Sequence, residues 1–459
     1  MAQGPDVGPL RTRIGGSVFV PSDPGYEEAR AVWNGVIDRR PAVIARCRTV
    51  DDVRAAIGFG RSGGLPVAVR GGGHQVAGTG SIDGGLVVDL SEMNAVSVDP
   101  ERRIVRAGGG ARLGDLDRAT QEHGLAVPVG VVSETGVAGL TLSGGMGWLR
   151  RLHGLSCDNL ISAEVVTANG EVLTASEGEH PDLLWALRGG GTTLGAVTSF
   201  EFRAHPVGPE VAFSFVLYPA ERAGEVLRAC EGLVAAAPEA VSPIAFLGRV
   251  PEAEAFPADA VGQPFVAVLT PHPGPPEVGE PVLRPFRQLA DPIVDLSGRA
   301  PWVEVQRILD EDYPNGLRYY WTSVELTGLS DGAIEQLHAS ASAAPSDLAT
   351  IDIWFQGGEM ARVEPEATGF GDRSAPILIG VEANWERPED DDANIAWARG
   401  CVRDLEPFST GGTYLNFPGF LEEGEAQVRR AVGDRNYERL ATVRDAYDPD
   451  GVFASGRAG

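Results

Sequence analysis

Short apolar runs alternate with glycine clusters over roughly the first 205 residues, a pattern of strands joined by turns and brief helices. AVIARC, PVAVR and GGLVVDL are near-continuous apolar stretches bounded by turn residues, which predicts strands. TVDDVRAAIGFGRSGG predicts a helix, with aspartates in the first turn and glycine at the stop. SVDPERRIVRAGGG and SAEVVTANGEVLTAS predict further strands, and the Asn169–Gly170 pair closes the second into a hairpin.

From about 206 to 405 glycine thins out and proline becomes common; PHPGPPEVGEP predicts a loop. SFVLYP, FVAVL, YYWTSVEL, TIDIWFQGG and PILIGVEANW alternate or run apolar, as sheet strands do. AERAGEVLRACEGLVAAAP and DGAIEQLHASASAAP predict helices between them. The expected product is an α+β unit, an antiparallel sheet with helices on one face. The last fifty residues return to a charged helical pattern, and EAQVRRAVGDRNYERLATVRDAYDP predicts one helix ended by proline and glycine.

At 459 residues the chain has length for about two to four domains. Its 60 glycines are nearly double the usual ~7% share, which suggests many close backbone approaches. A net charge of −26 repels phosphate backbones and anionic bilayers, arguing against nucleic-acid and membrane partners. All 38 basic residues are arginine; without lysine, Schiff-base chemistry and the lysine phosphate loop are excluded. Cys47, Cys157, Cys230 and Cys401 are too scattered for a metal site or a disulfide scaffold. MAQGPDVGPLRTR lacks the apolar core of a signal peptide, and no apolar run is long enough to span a bilayer. The expectation is a soluble cytoplasmic protein, a monomer or weak homo-oligomer.

Four segments carry candidate chemistry. Arg70-Gly71-Gly72-Gly73-His74 follows the strand PVAVR directly, and three glycines can turn several N–H groups toward one pyrophosphate-sized concavity. The segment after it is a poor helix, so a dinucleotide fold of the GxGxxG kind is disfavoured. Standing alone, the run reads as a tight turn with a solvated histidine. Cys157 sits in GLSCDN, among polar loop residues where a cysteine buried for packing is less expected. GVAGLTLSGGMGW, residues 136 to 148, permits close approach to a flat ring or to ribose and phosphate oxygens. Arg188-Gly189-Gly190-Gly191 precedes another strand-like run.

In this order, with NYERLATVRDAYDP near the end, the motifs resemble the berberine-bridge-enzyme-like branch of the vanillyl-alcohol-oxidase flavoproteins over nearly the whole chain. The resemblance implies a PCMH-type FAD-binding domain in two parts, residues 1–205 and 406–459, around an inserted substrate domain, 206–405. It implies covalent FAD, with His74 bonded to the flavin 8α-methyl and Cys157 to C6. Two such tethers raise the flavin's reduction potential, while the protein supplies position and electronics. Glycines 71 to 73, with Arg70 and Gln75, would meet the flavin. So would Ser133, Gly136, Gly139, Gly144, Gly145 and Gly147. Asn159 and Val197 complete the implied contacts.

GTYLNF resembles the family's Tyr-x-Asn motif. Two residues apart on an extended segment, Tyr414 and Asn416 would face the ring together. Tyr414 would act as base on a substrate hydroxyl, its oxyanion helped by arginine or the flavin's surroundings, since a phenol pKa near ~10 is otherwise unfavourable. The implied activity is oxidation of an alcohol, sugar or secondary metabolite, with O2 reoxidising the flavin to give hydrogen peroxide. Alternatives are a dehydrogenase using another acceptor, and a flavoprotein that only cyclises or binds. Trp354 with Gln356, and Glu382 with Asn384, each share a strand face that is either solvent-facing or pocket-facing. Leu160 lies where the family shapes oxygen access, a leucine obstructing and a valine permitting. Gln75 after the histidine, Thr192-Thr193 for Gly-Asn, Arg444 for lysine, Asp450-Gly451 and the ending SGRAG depart from the family pattern.

Overall fold

Parallel pairing organises the first sheet of the computed structural model, which describes residues 5–191, 194–420 and 424–453. Thr192, Thr193 and the closing SGRAG lie outside the described residues. The sheet runs Ser17–Phe19, Val43–Arg46, Leu86–Asp89, Val67–Arg70, and its last three strands are mutually parallel. The helix Val50–Ser62 lies between two of these strands in sequence. Thr49 and Asp52 cap it reciprocally, each side chain accepting from the other's backbone N–H at 3.2 Å.

A second, antiparallel sheet of five strands holds Val96–Asp99, Ile104–Gly108, Ala196–Arg203, Leu160–Val166 and Val172–Ser176. The hairpin closing it turns at Gly170, whose φ of +81° is ordinary for glycine.

The third sheet has eight antiparallel strands within residues 210–385. Its central order is Glu210–Pro219, Pro264–His272, Ile244–Arg249, Thr350–Phe355, Ile377–Trp385, Arg318–Leu326. Alternation decides what each face does. Ile351, Ile353, Phe355, Ile379, Val381 and Val324 point to one side, against Ala223–Ala236, Asp331–Ser342 and Asp391–Leu405. Their neighbours Trp354, Leu378, Tyr319 and Trp321 point to the other, into a core shared with Trp33, Met146, Cys157 and Tyr414. The fold is thus mixed α+β, with helices on one face of the large sheet, as the pattern predicted.

Two local expectations fail. PHPGPPEVGEP is not all loop: Pro276–Leu283 is a helix, started by proline at its first position. Its Gly279 lies against His272 and Ala212, too close for a Cβ, so tertiary packing overrides the weak propensity. The C-terminal pattern forms two helices, Gly424–Val432 and Asp434–Tyr447, broken where Gly433 takes φ +79°. No helix among the described residues is long and apolar enough to cross a membrane.

Candidate active site

The strand Val67–Arg70 delivers the glycine run into a cavity of about 410 Å³. Arg70 is not free for a phosphate. Its guanidinium is buried against Asp89, 2.9 Å away, and donates to the Ala29 carbonyl at 2.6 Å. It anchors the loop. A Cβ on Gly72 would lie 2.6 Å from the Gly136 backbone, and one on Gly136 would lie 2.5 Å from the Gly72 nitrogen. The two glycine turns therefore touch, and together they leave a side-chain-free cradle along the cavity. Gly136 also opens the short helix Val137–Leu142. Gly139 and Val197 line the same cavity.

His74 stacks on Trp33 at 4.0 Å, and Trp33 stacks in turn on Tyr319 of the large sheet at 3.7 Å. It is not a solvated turn residue. Its Nε2 is buried and finds no hydrogen-bond partner among the described residues. Burial, reinforced by Arg112, pushes its pKa down to about 3, so the ring is neutral with a free lone pair. Gln75 accepts from Ala77 N–H at 2.5 Å and closes the next turn.

Tyr414 forms part of the cavity wall. Its hydroxyl oxygen accepts three hydrogen bonds, from Gly145 N–H and Met146 N–H at 3.1 Å and from the Asn416 amide at 2.9 Å. The help expected from arginine comes instead from backbone amides. Burial raises the phenol to about 12, and the three donors pull the other way. Asn416 reaches Tyr414 because the chain turns here, with Phe417 N–H bonded to the Tyr414 carbonyl, not because the segment is extended.

Several expected contacts lie elsewhere. Gly144, Gly145 and Gly147 do not border the cavity; added Cβ atoms would strike Phe370, Ser156 and the Val129 carbonyl respectively. Their smallness lets three chain segments pack behind Tyr414. Ser133 borders a neighbouring polar cleft and donates to Asp310 through N–H (2.8 Å) and hydroxyl (2.5 Å). Asn159 braces the Cys157 turn, donating to the His153 and Leu155 carbonyls. Cys157 is fully buried just behind the wall, its backbone bonded to Gly144. Burial and Asp158 push its thiol pKa up, while Arg373 and Arg188 oppose the rise.

Over the cradle stands the large sheet. Trp354 and Glu382 line the cavity, whereas Gln356 and Asn384 are buried off it. The solvent-face alternative is overturned, because all nine residues of Ile377–Trp385 are buried. Asn384 accepts from Trp321 Nε1 at 2.7 Å and donates to the Leu348 carbonyl. The sequence reading missed Asp352, Tyr313, Trp321 and Trp33. Asp352 left a signal, a lone charge inside the apolar run TIDIWF.

Residues 41–176 match the FAD binding domain model, and residues 413–457 match the berberine and berberine-like model. An FAD-linked oxidoreductase of Bacillus subtilis is 30% identical over 455 residues, covering 96% of each chain. The chain belongs to the berberine-bridge-like family of FAD-linked oxidoreductases. Its fold matches 6-hydroxy-D-nicotine oxidase from Arthrobacter nicotinovorans with TM-score 0.86 at 27% identity, covering 97% of both chains. It also matches glucooligosaccharide oxidase from Acremonium strictum, which carries a 6-S-cysteinyl, 8α-N1-histidyl FAD, with TM-score 0.82 at 24% identity over 96% of each. Family membership makes this an FAD-binding enzyme, and its relatives act on small molecules as unlike as nicotine derivatives and oligosaccharides.

Proposed function

We propose that the chain is an FAD-dependent alcohol oxidase, with flavin joined to His74 and Cys157 and with Tyr414 taking the proton of the substrate hydroxyl. The observation that carries this reading is the triply donated Tyr414 oxygen on the cavity wall. Donors already aimed at the phenol oxygen favour its deprotonated form, the form able to take a proton from a substrate hydroxyl. FAD held there would supply the hydride acceptor, with O2 as its oxidant and hydrogen peroxide as the product.

The residues present fit that cofactor. The touching Gly72 and Gly136 turns present backbone without side chains along the cavity, a lining that a pyrophosphate can approach closely. His74 offers a dry, neutral imidazole, the form able to act as nucleophile. Cys157 lies just behind the cavity wall with Arg373 beside it, a charge that opposes the rise that burial imposes on its thiol. We assign residues 1–205 and 406–459 to flavin binding and 206–405 to the substrate cover, the division at which the large sheet begins and its last helix ends.

Acid precipitation tests the attachment: flavin should stay with the polypeptide, and Cys157→Ala should leave one bond and a more slowly reduced flavin. Flavin wholly in the supernatant overturns it. Peroxide formed during alcohol turnover supports the oxidase; reduced flavin that persists in aerated buffer makes it a dehydrogenase.

A further inference from the structure

Opposite the glycine cradle, the cavity carries two groups that the alcohol chemistry does not use. Asp352 and Glu382, on paired strands, are 2% exposed and hydrogen-bonded to each other. Tyr313 donates to Glu382 Oε2 at 2.7 Å. No arginine forms an ion pair with either carboxyl among the described residues. Asp352 Oδ1 is buried without a partner, and so is the indole N–H of Trp354, both residues of the cavity wall. An acceptor and a donor thus stand unmet on one short strand, two residues apart and on one face.

Two hydrogen-bonded carboxyls out of water hold at least one proton between them, and a cation bound against them would draw off the second and leave one negative charge. Burial pushes both upward in pKa. Around it are aromatic rings: Tyr313 packs edge-on to Trp321 at 5.2 Å, and Phe417 packs edge-on to Trp321 at 5.6 Å. A buried negative charge beside aromatic rings selects a cation that can donate hydrogen bonds. Arg150, held by backbone carbonyls 5.2 Å from the Trp354 ring, is not on the cavity wall and does not neutralise the pair.

We propose that the substrate carries a protonated amino group, bound by Asp352 and Glu382, next to a hydroxyl or ether oxygen that accepts from Trp354. The class is amino alcohols and amino sugars. As a choice of substrate this rests on the oxidase reading above; as a binding site it does not. A neutral polyol would satisfy Trp354 but offer the pair no charge to draw off its second proton.

Calorimetric titration of the flavin-loaded protein with tert-butylammonium and with tert-butanol, at equal ionic strength, separates the cases. The two probes share a shape, and neither has a hydrogen on the carbon bearing the heteroatom, so neither can lose a hydride. Their binding is therefore read whether or not alcohols reduce the flavin. The cation should bind about tenfold more tightly or better, the scale of a desolvated charge-assisted contact. Asp352→Asn and Glu382→Gln keep the shape and should bring the preference below about threefold, with flavin content as the check on folding. Equal affinities in the parent protein, no measurable cation binding, or a preference untouched by both substitutions would each overturn the proposal.

Discussion

The two walls of the cavity are made of different material. The cradle is backbone: Gly72 and Gly136 touch where no side chain fits, and the ring beside it, His74, is held by stacking. The opposing wall is side chain: Asp352, Trp354, Glu382 and Trp321 project from strands whose other face packs on helices, and Tyr313 joins them from the segment just before Arg318–Leu326. A wall of backbone amides accepts any ligand with the right phosphate and ring geometry, which suits a cofactor common to many relatives. A wall of side chains is rewritten by single substitutions without touching the other face of the sheet, which suits a substrate that differs between nicotine and oligosaccharide oxidases.

The contrast predicts where substitutions hurt. Tyr414→Phe should slow anaerobic flavin reduction by about 10²-fold or more, within the range for a general base, while FAD content is unchanged. Reduction at the parental rate in stopped flow would remove Tyr414 from its role. Gly72→Ala should do the reverse. A Cβ 2.6 Å from the Gly136 backbone forces the turns apart, at about 1–3 kcal/mol of overpacking, so FAD loading and thermal stability should both fall. A fully loaded Gly72→Ala protein would show that the two turns have room to part.

Leu160→Val probes the cradle's core. Leu160 is fully buried among Val165, Leu184 and Phe200 and does not line the cavity, so reoxidation by O2 should be as fast as in the parent, with a stability loss of about 1 kcal/mol. Faster reoxidation in the valine form would make this position a gate.

The smallest effect is a pH dependence on the edge strand Arg318–Leu326 of the sheet. Burial, with Asp372 nearby, raises Glu325 to about 7 against an ordinary 4.5. A group raised on folding stabilises below its unfolded pKa and loses that contribution as pH rises through 7. Melting temperatures of Glu325→Gln should therefore fall less than the parent's between pH 5 and 8. Parallel profiles would show that the carboxyl ionises freely.

The same contrast explains what was legible. Glycine is informative by itself, because few positions other than close approaches and left-handed turns require it; RGGGH and GVAGLTLSGG pointed to the cradle on that ground. The pairing of His74 and Cys157 needed the order of several motifs. The opposing wall was only half legible. Period-two spacing put Glu382 with Asn384 on one face of the strand Ile377–Trp385, whereas Gln356 lies just past the end of Trp354's strand. Which of them reach the cavity depends on partners far away in sequence: Trp321 takes up Asn384, and Tyr313 meets Glu382 across 69 residues. Trp33 carried no local mark at all, since its significance lies in stacking on rings at 74 and 319.

That stack has a consequence for biogenesis. Trp33 bridges the histidine loop to the large sheet, and its indole N–H donates to the Tyr313 carbonyl at 3.0 Å. Until the sheet has docked, the imidazole is wet, mobile and open to protonation near its ordinary pKa of about 6.5. Only the finished arrangement dries it and aims it. Attachment of flavin at His74 would then act as a seal applied after assembly, and the yellow colour of a polypeptide would certify that both halves of its fold had met.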